Sequence, residues 1–170
     1  MIKNKSGHII GITSVAGKLA STYRSSYAGS KHAFIAILDS LRAELRDYGI
    51  SVTNIMPGYV RTNLSKSALV SGKGERLGFT DKNIENGLSP AYFSEKAIKA
   101  IYRKENELQI SSGLAIPTGI FIRNLLPDLL FFSLWKNGRN QSDAIAKNDW
   151  STFSIKLIIL FSVYVQLESH

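Results

Sequence analysis

Two side chains of complementary chemistry, the phenol of Tyr27 and the ammonium of Lys31, stand four residues apart in the run Ser25-Ser26-Tyr27-Ala28-Gly29-Ser30-Lys31. On a helix that spacing returns the chain to one face with about 6 Å of rise, so both groups can converge on one small molecule. A tyrosine of ordinary pKa near 10 exchanges protons poorly at neutral pH, and a cation a few ångströms away favours its phenolate. The pair is therefore a candidate acid/base centre. Taken alone the pattern is weak, because 7 Tyr and 21 Lys plus Arg produce such pairs by chance on ordinary solvated helix faces.

The elements around the pair sharpen it. The apolar, β-branched run His8-Ile9-Ile10-Gly11-Ile12-Thr13-Ser14 predicts a buried strand ending at Ser14, followed by a turn at Val15-Ala16-Gly17-Lys18. The helix carrying Tyr27 and Lys31 runs on to about Tyr48, and Ile50-Ser51-Val52-Thr53-Asn54-Ile55-Met56 predicts a second strand, ending in Pro57-Gly58-Tyr59-Val60-Arg61-Thr62. Strand, helix and strand make a right-handed crossover, and polar groups at the strand C-termini lie where doubly wound sheets bind ligands. Ser14, Tyr27, Lys31 and Thr62 are thereby expected at one sheet edge. Tyr23 is a decoy, since the residue four further on is Tyr27 and not a lysine.

These stretches, in this order and spacing, resemble three motifs of the short-chain dehydrogenase/reductases: Gly7-His8-Ile9-Ile10 through Ser14, Tyr27 with Lys31, and the segment from Pro57 to Thr62. The resemblance implies an α/β fold and an NAD(P)-dependent oxidoreductase that interconverts a carbonyl and an alcohol by hydride transfer. It implies that Tyr27 is the proton donor or acceptor, that Lys31 tunes it and holds the nicotinamide ribose, and that Ser14 hydrogen-bonds the substrate carbonyl. Pro57, Gly58, Val60 and Thr62 would contact the nicotinamide. NAD or NADP is the implied cofactor, with NADP favoured by a narrower likeness: Asn124-Leu125-Leu126-Pro127-Asp128-Leu129-Leu130-Phe131 followed by basic residues resembles the member-7 branch of the family. The implied substrates are lipid, steroid, retinoid or xenobiotic carbonyls or alcohols, and the implied full-length parent is a homodimer.

The family's glycine-rich pyrophosphate turn is absent, because Gly7, Gly11 and Gly17 are not spaced as G-x-x-x-G-x-G. The asparagine of its catalytic tetrad has no counterpart either, Asn4 being too close to Ser14. The expected fold is thus the C-terminal half of a Rossmann-type doubly wound parallel sheet, about three strands with flanking helices, the N-terminal half being absent. Met1 to Gly7 reads as the last turn of a helix with Gly7 as its stop. The alternative function is a catalytically inactive truncated fragment that acts, if at all, as a dimerisation or interaction module.

At 170 residues and 44% hydrophobic, the chain can bury one domain core. With no Cys, disulfide scaffolds and thiolate metal sites are excluded, and His8, His32 and His170 show no metal-ligand spacing. His32 is expected on the surface. The net charge of +8 is spread along the chain without a basic block or interleaved aromatics, so a solvated basic surface is favoured over nucleic-acid binding.

The partial domain is assigned to residues 1–148. Within it, Phe34, Ile37, Leu38, Leu41 and Leu45 predict the stripe by which the long helix packs on the sheet. A substrate loop is expected over about 63–90, with Tyr59, Leu64, Leu69, Leu77 and Phe79 as candidate lining residues. Ser89-Pro90 opens a further helix to Lys104, and Glu107-Leu108-Gln109-Ile110-Ser111 predicts the last strand. The apolar stretch from Leu114 to Trp135 is broken by Pro117, Arg123, Pro127 and Asp128, which fits an oligomer contact or a membrane interface better than a span. A hydrophobic tail over 149–170 matches nothing identified. Possible settings are association with the endoplasmic reticulum membrane or the cytoplasm.

Overall fold

The computed structural model describes residues 1–22, 24–63 and 82–145. Tyr23, most of the expected 63–90 loop with Leu64, Leu69, Leu77 and Phe79, and the 149–170 tail lie outside the described residues.

Three parallel strands, β1 (Gly7–Ile12), β2 (Ile50–Pro57) and β3 (Glu107–Ile110), form a sheet in that order. The register sets Gly7 opposite Ile50 through Ile12 opposite Ile55, then Asn54 opposite Glu107 through Pro57 opposite Ile110. Helix α1 (Ser25–Glu44) joins β1 to β2. A one-turn helix α2 (Lys82–Glu85) and helix α3 (Pro90–Tyr102) precede β3, and α4 (Ala115–Leu125) and α5 (Pro127–Ile145) follow it. The three-stranded parallel sheet with flanking helices matches a partial Rossmann-like fold.

Local chemistry explains the element ends. Helix α1 stops at Glu44, earlier than the expected Tyr48, and a 3-10 turn over Arg46–Tyr48 carries the chain to Gly49, whose φ of 66° reverses it into β2. At the start of α3, the Ser89 side chain accepts from the Tyr92 N–H at 3.2 Å and Pro90 occupies the first turn, where its missing N–H is harmless. The first residues correct the sequence reading. A 3-10 turn over Ile2–Asn4 is closed by Lys5, in the left-handed region at φ 46°, and Gly7 instead begins β1.

The core centres on β2, where Val52, Thr53, Asn54, Ile55 and Met56 are all buried. Ala28, Ile35 and Leu38 are the buried residues of helix α1. Leu38 lies directly on Gly11, so closely that a Cβ there would overlap it. Of the predicted stripe, Leu38 is buried and Leu41 and Leu45 are half-buried, while Phe34 and Ile37 are corrected. The packed face runs through Ile35 and Leu38, which rotates Phe34 and Ile37 outward, both being exposed. No helix among the described residues is long and apolar enough to cross a membrane.

Candidate active site

β1 and β2 run parallel, so their C-terminal ends open at the same edge of the sheet. Thr13 secures the end of β1: its N–H donates to the Ile55 carbonyl at 2.8 Å and its hydroxyl to Asn54 Oδ1 at 2.7 Å. Ser14 comes next. It is buried and extended, and its hydroxyl oxygen accepts from the Ala16 N–H at 3.1 Å, capping a 3-10 turn over Val15–Gly17.

That turn is pressed against α1 at the level of Lys31. A Cβ on Gly17 would lie 2.5 Å from Ile35 Cδ1 and 2.8 Å from the Lys31 carbonyl oxygen. Only a residue without a side chain allows this approach. Ser14 and Lys31 are in this way held on contacting segments, with Gly17 as the residue in contact, a role that its place in a predicted turn does not by itself indicate.

Tyr27 and Lys31 share one face of α1, as their spacing predicts. The Lys31 ammonium stands 5.7 Å from the centroid of the Tyr27 ring, and the ring is 43% exposed at the opening turns of the helix. A cation over an aromatic face is held there by the ring's quadrupole. The arrangement supplies a reachable phenol with an ammonium beside it.

The segment after β2 is fixed mainly by its backbone. Pro57 closes the strand, and the Gly58 N–H donates to the Ile110 carbonyl at 2.7 Å. A Cβ on Gly58 would sit 3.0 Å from Ser111 Cβ, so this glycine lets the segment pass close to the end of β3. Val60 bridges Leu88, whose N–H donates to the Tyr59 carbonyl at 2.9 Å and whose carbonyl accepts from the Arg61 N–H at 2.9 Å. Thr62 is exposed beyond this bridge. Arg24, immediately before α1, lies 6.0 Å from the Tyr59 ring centroid and links the start of the helix to this segment.

The surroundings of His32 correct the expectation of a surface histidine. His32 is not a free surface histidine: it is half-buried, its Nδ1 lies 2.9 Å from the Ala28 carbonyl, and its Nε2 lies 3.1 Å from the Arg123 guanidinium. No sequence pattern links positions 32 and 123, so the pairing carries no sequence signal. Among the described residues no cluster of His, Cys, Asp or Glu is arranged to hold a metal ion.

Known proteins share this arrangement of elements and much of the sequence. A family profile described as short chain dehydrogenase matches residues 1–70. Dehydrogenase/reductase SDR family member 7B from Xenopus laevis is 39% identical over 144 residues, covering 85% of this chain and 44% of that protein. The chain thus spans a little under half the length of such curated relatives. A short-chain dehydrogenase/reductase from Burkholderia phymatum in complex with NAD is similar in fold, with a TM-score of 0.59 and 18% identity over 76% of this chain and 51% of that one. A short-chain dehydrogenase from Sphingobium yanoikuyae in complex with NADPH has a TM-score of 0.53 and 21% identity, covering 64% of this chain and 39% of that one. By profile and by sequence, the chain belongs to the short-chain dehydrogenase/reductase family, in its member-7 branch.

Proposed function

We propose that these residues form the substrate end of an NAD(P)-dependent oxidoreductase that interconverts a carbonyl and an alcohol. The observation that carries the reading is the Lys31 ammonium beside the Tyr27 ring, on the helix turn against which the Gly17 turn rests. Tyr27 gives a proton to the carbonyl oxygen in reduction and takes it back from the alcohol in oxidation. Lys31 favours the negatively charged oxygen that Tyr27 carries after giving up its proton. Ser14 donates its hydroxyl proton to the substrate oxygen while its own oxygen goes on accepting from the Ala16 N–H, which fixes the direction of the hydroxyl.

The residues present suit the nicotinamide end of the cofactor. Lys31 offers a cation for the ribose hydroxyls, and Pro57, Gly58, Val60 and Thr62 lie along the segment leaving β2 at the same sheet edge. When bound, the nicotinamide supplies or accepts the hydride at the carbonyl carbon. Either NAD or NADP fits this reading, and the member-7 likeness favours NADP. Substrates of lipid, steroid, retinoid or xenobiotic type agree with the apolar side chains exposed on α4 and α5, among them Phe121, Leu125, Phe131 and Trp135. The same surface supports association with a membrane interface.

A second reading, an interaction module without turnover, draws on Phe34 and Ile37 exposed on the outer face of α1, where a second copy could pair. Titrating NADH and NADPH while following intrinsic fluorescence, then assaying carbonyl reduction by wild type and Tyr27→Phe, separates the two. The oxidoreductase reading expects saturable binding by both proteins and turnover by the wild type alone. Wild-type rates from Tyr27→Phe, or no binding of either cofactor, would overturn it.

A further inference from the structure

Arg123 lies on α4, far in sequence from the site, and its guanidinium touches both segments that build it. It donates to the Lys18 carbonyl, at the end of the turn that Ser14 opens, and it lies 3.1 Å from His32 Nε2, one residue along α1 from Lys31. The direction of each bond follows from the groups. A carbonyl only accepts, so His32 Nδ1, 2.9 Å from the Ala28 carbonyl, carries the ring proton. Nε2 is then the acceptor, and the guanidinium, which is always charged, is the donor.

The surroundings make this contact part of a larger clamp. Lys18 is held from a second side, its ammonium lying 3.0 Å from both carboxylate oxygens of Glu107 on β3. On α4, a Cβ at Gly119 would lie 2.7 Å from Leu19 Cδ2, so the helix backbone rests on the residue after Lys18. On α5, Gly138 approaches Thr22 in the same manner, at 3.0 Å. The connection between the Ser14 turn and α1 is thus overlaid by both helices.

We propose that Arg123 is a positioning residue: by binding the Lys18 carbonyl and His32 Nε2 together, it fixes the Ser14 turn against the helix that presents Tyr27 and Lys31. This rests on the oxidoreductase reading for its effect on rate, though not for its effect on His32. Arg123 acts through these two segments and takes no part in the proton transfer assigned to Tyr27. Both bonds leave from Nη1, so this one nitrogen joins the two segments, and a lysine, whose side chain is one bond shorter, does not bring its ammonium to that point. Misplacing a substrate-binding hydroxyl by a fraction of an ångström to an ångström lowers turnover by about tenfold to a hundredfold.

The test compares the full chain with Arg123→Ala and Arg123→Lys, using two readouts. Long-range proton–nitrogen NMR of histidine-labelled protein, with His32→Gln to assign the signal, reports which ring nitrogen of His32 carries the proton. The clamp predicts a single Nδ1–H tautomer in the wild type and a mixture in Arg123→Ala. Steady-state kinetics then predict a fall in kcat of about tenfold or more in both variants, with the KM for the nicotinamide cofactor within about twofold, and partial recovery of Arg123→Ala by added guanidinium ion. An unchanged His32 signal in Arg123→Ala, or an unchanged kcat, overturns the proposal. If the wild type shows no turnover, the oxidoreductase reading fails by itself, and the His32 signal, altered or not, still decides for or against the clamp.

Discussion

β1 and β2 are adjacent, parallel and similarly rich in β-branched residues, yet they occupy opposite environments. Val52, Ile55 and Met56 on β2 are at most 2% exposed, whereas Ile10 and Ile12 on β1 are 42% and 55% exposed. β2 has a strand on each side. Among the described residues β1 has β2 on one side only, and it is covered on the face where Gly11 receives Leu38, while alternation turns Ile10 and Ile12 to the other face. Composition marks a residue as able to be buried, and neighbours decide whether it is.

The comparison predicts its largest difference in large-to-small substitutions. Ile55→Ala removes a fully buried side chain from the middle of the sheet and should cost about 2–5 kcal/mol, while Ile12→Ala should cost less than about 1 kcal/mol. Urea unfolding followed by circular dichroism measures both. Equal losses would mean that Ile12 is covered in solution, and the contrast between the strands would collapse.

Next in size is Gly17→Ala, which tests where β1 hands over to the site. The added methyl meets the Lys31 carbonyl oxygen, which is backbone and yields little, so the Ser14 turn and α1 must part. A loss of about 1–3 kcal/mol is expected, together with a lower rate of carbonyl reduction. Wild-type stability and rate would show that the turn tolerates displacement.

These positions also show how much of the molecule was legible in the sequence. The crossover of β1, α1 and β2 and the Tyr27–Lys31 pair were readable, because apolar runs and a four-residue spacing are local patterns with direct geometric meaning. The face of α1 was read less well. Phe34 and Ile37 are as apolar as Ile35, and only the position of Gly11 and Gly17 on the neighbouring segments selects which of them meets the sheet. The Arg123–His32 contact joins residues 91 apart by folding alone. Lys5, instead of Gly7, takes the left-handed turn for reasons that composition would have argued against.

A polar contact between the strands gives an intermediate effect. Asn54 is fully buried, its Oδ1 accepts from Thr13, and its Nδ2 has no partner among the described residues. Thr13→Val leaves Asn54 with a second unpaired group and should cost about 1–3 kcal/mol. Asn54→Leu alone strands only a hydroxyl that also lies 3.4 Å from the Ile55 carbonyl, so it should cost less. In the double variant no buried polar group is left unpaired, and its stability should lie above that of Thr13→Val. A strictly additive double-mutant cycle would show that the pair does not couple the strand ends.

The smallest effect on stability, and the most direct probe of the open face, is expected from Ile12→Lys. At an exposed position a lysine keeps its ammonium in water and lays its stem along the sheet, so the change should stay within about 0.5 kcal/mol. Its effect on association should be larger. An exposed edge strand with apolar side chains invites pairing with another chain, and a charge placed on it opposes that pairing. Sedimentation velocity over a concentration series should therefore show less self-association for Ile12→Lys than for the wild type. Lysine at Ile55, by contrast, would bury a charge without a partner in the middle of the sheet and should prevent folding. If Ile12→Lys unfolded the chain as Ile55→Lys does, β1 would be an interior strand in solution, sheltered by a second copy on the face where Ile10 and Ile12 now stand open.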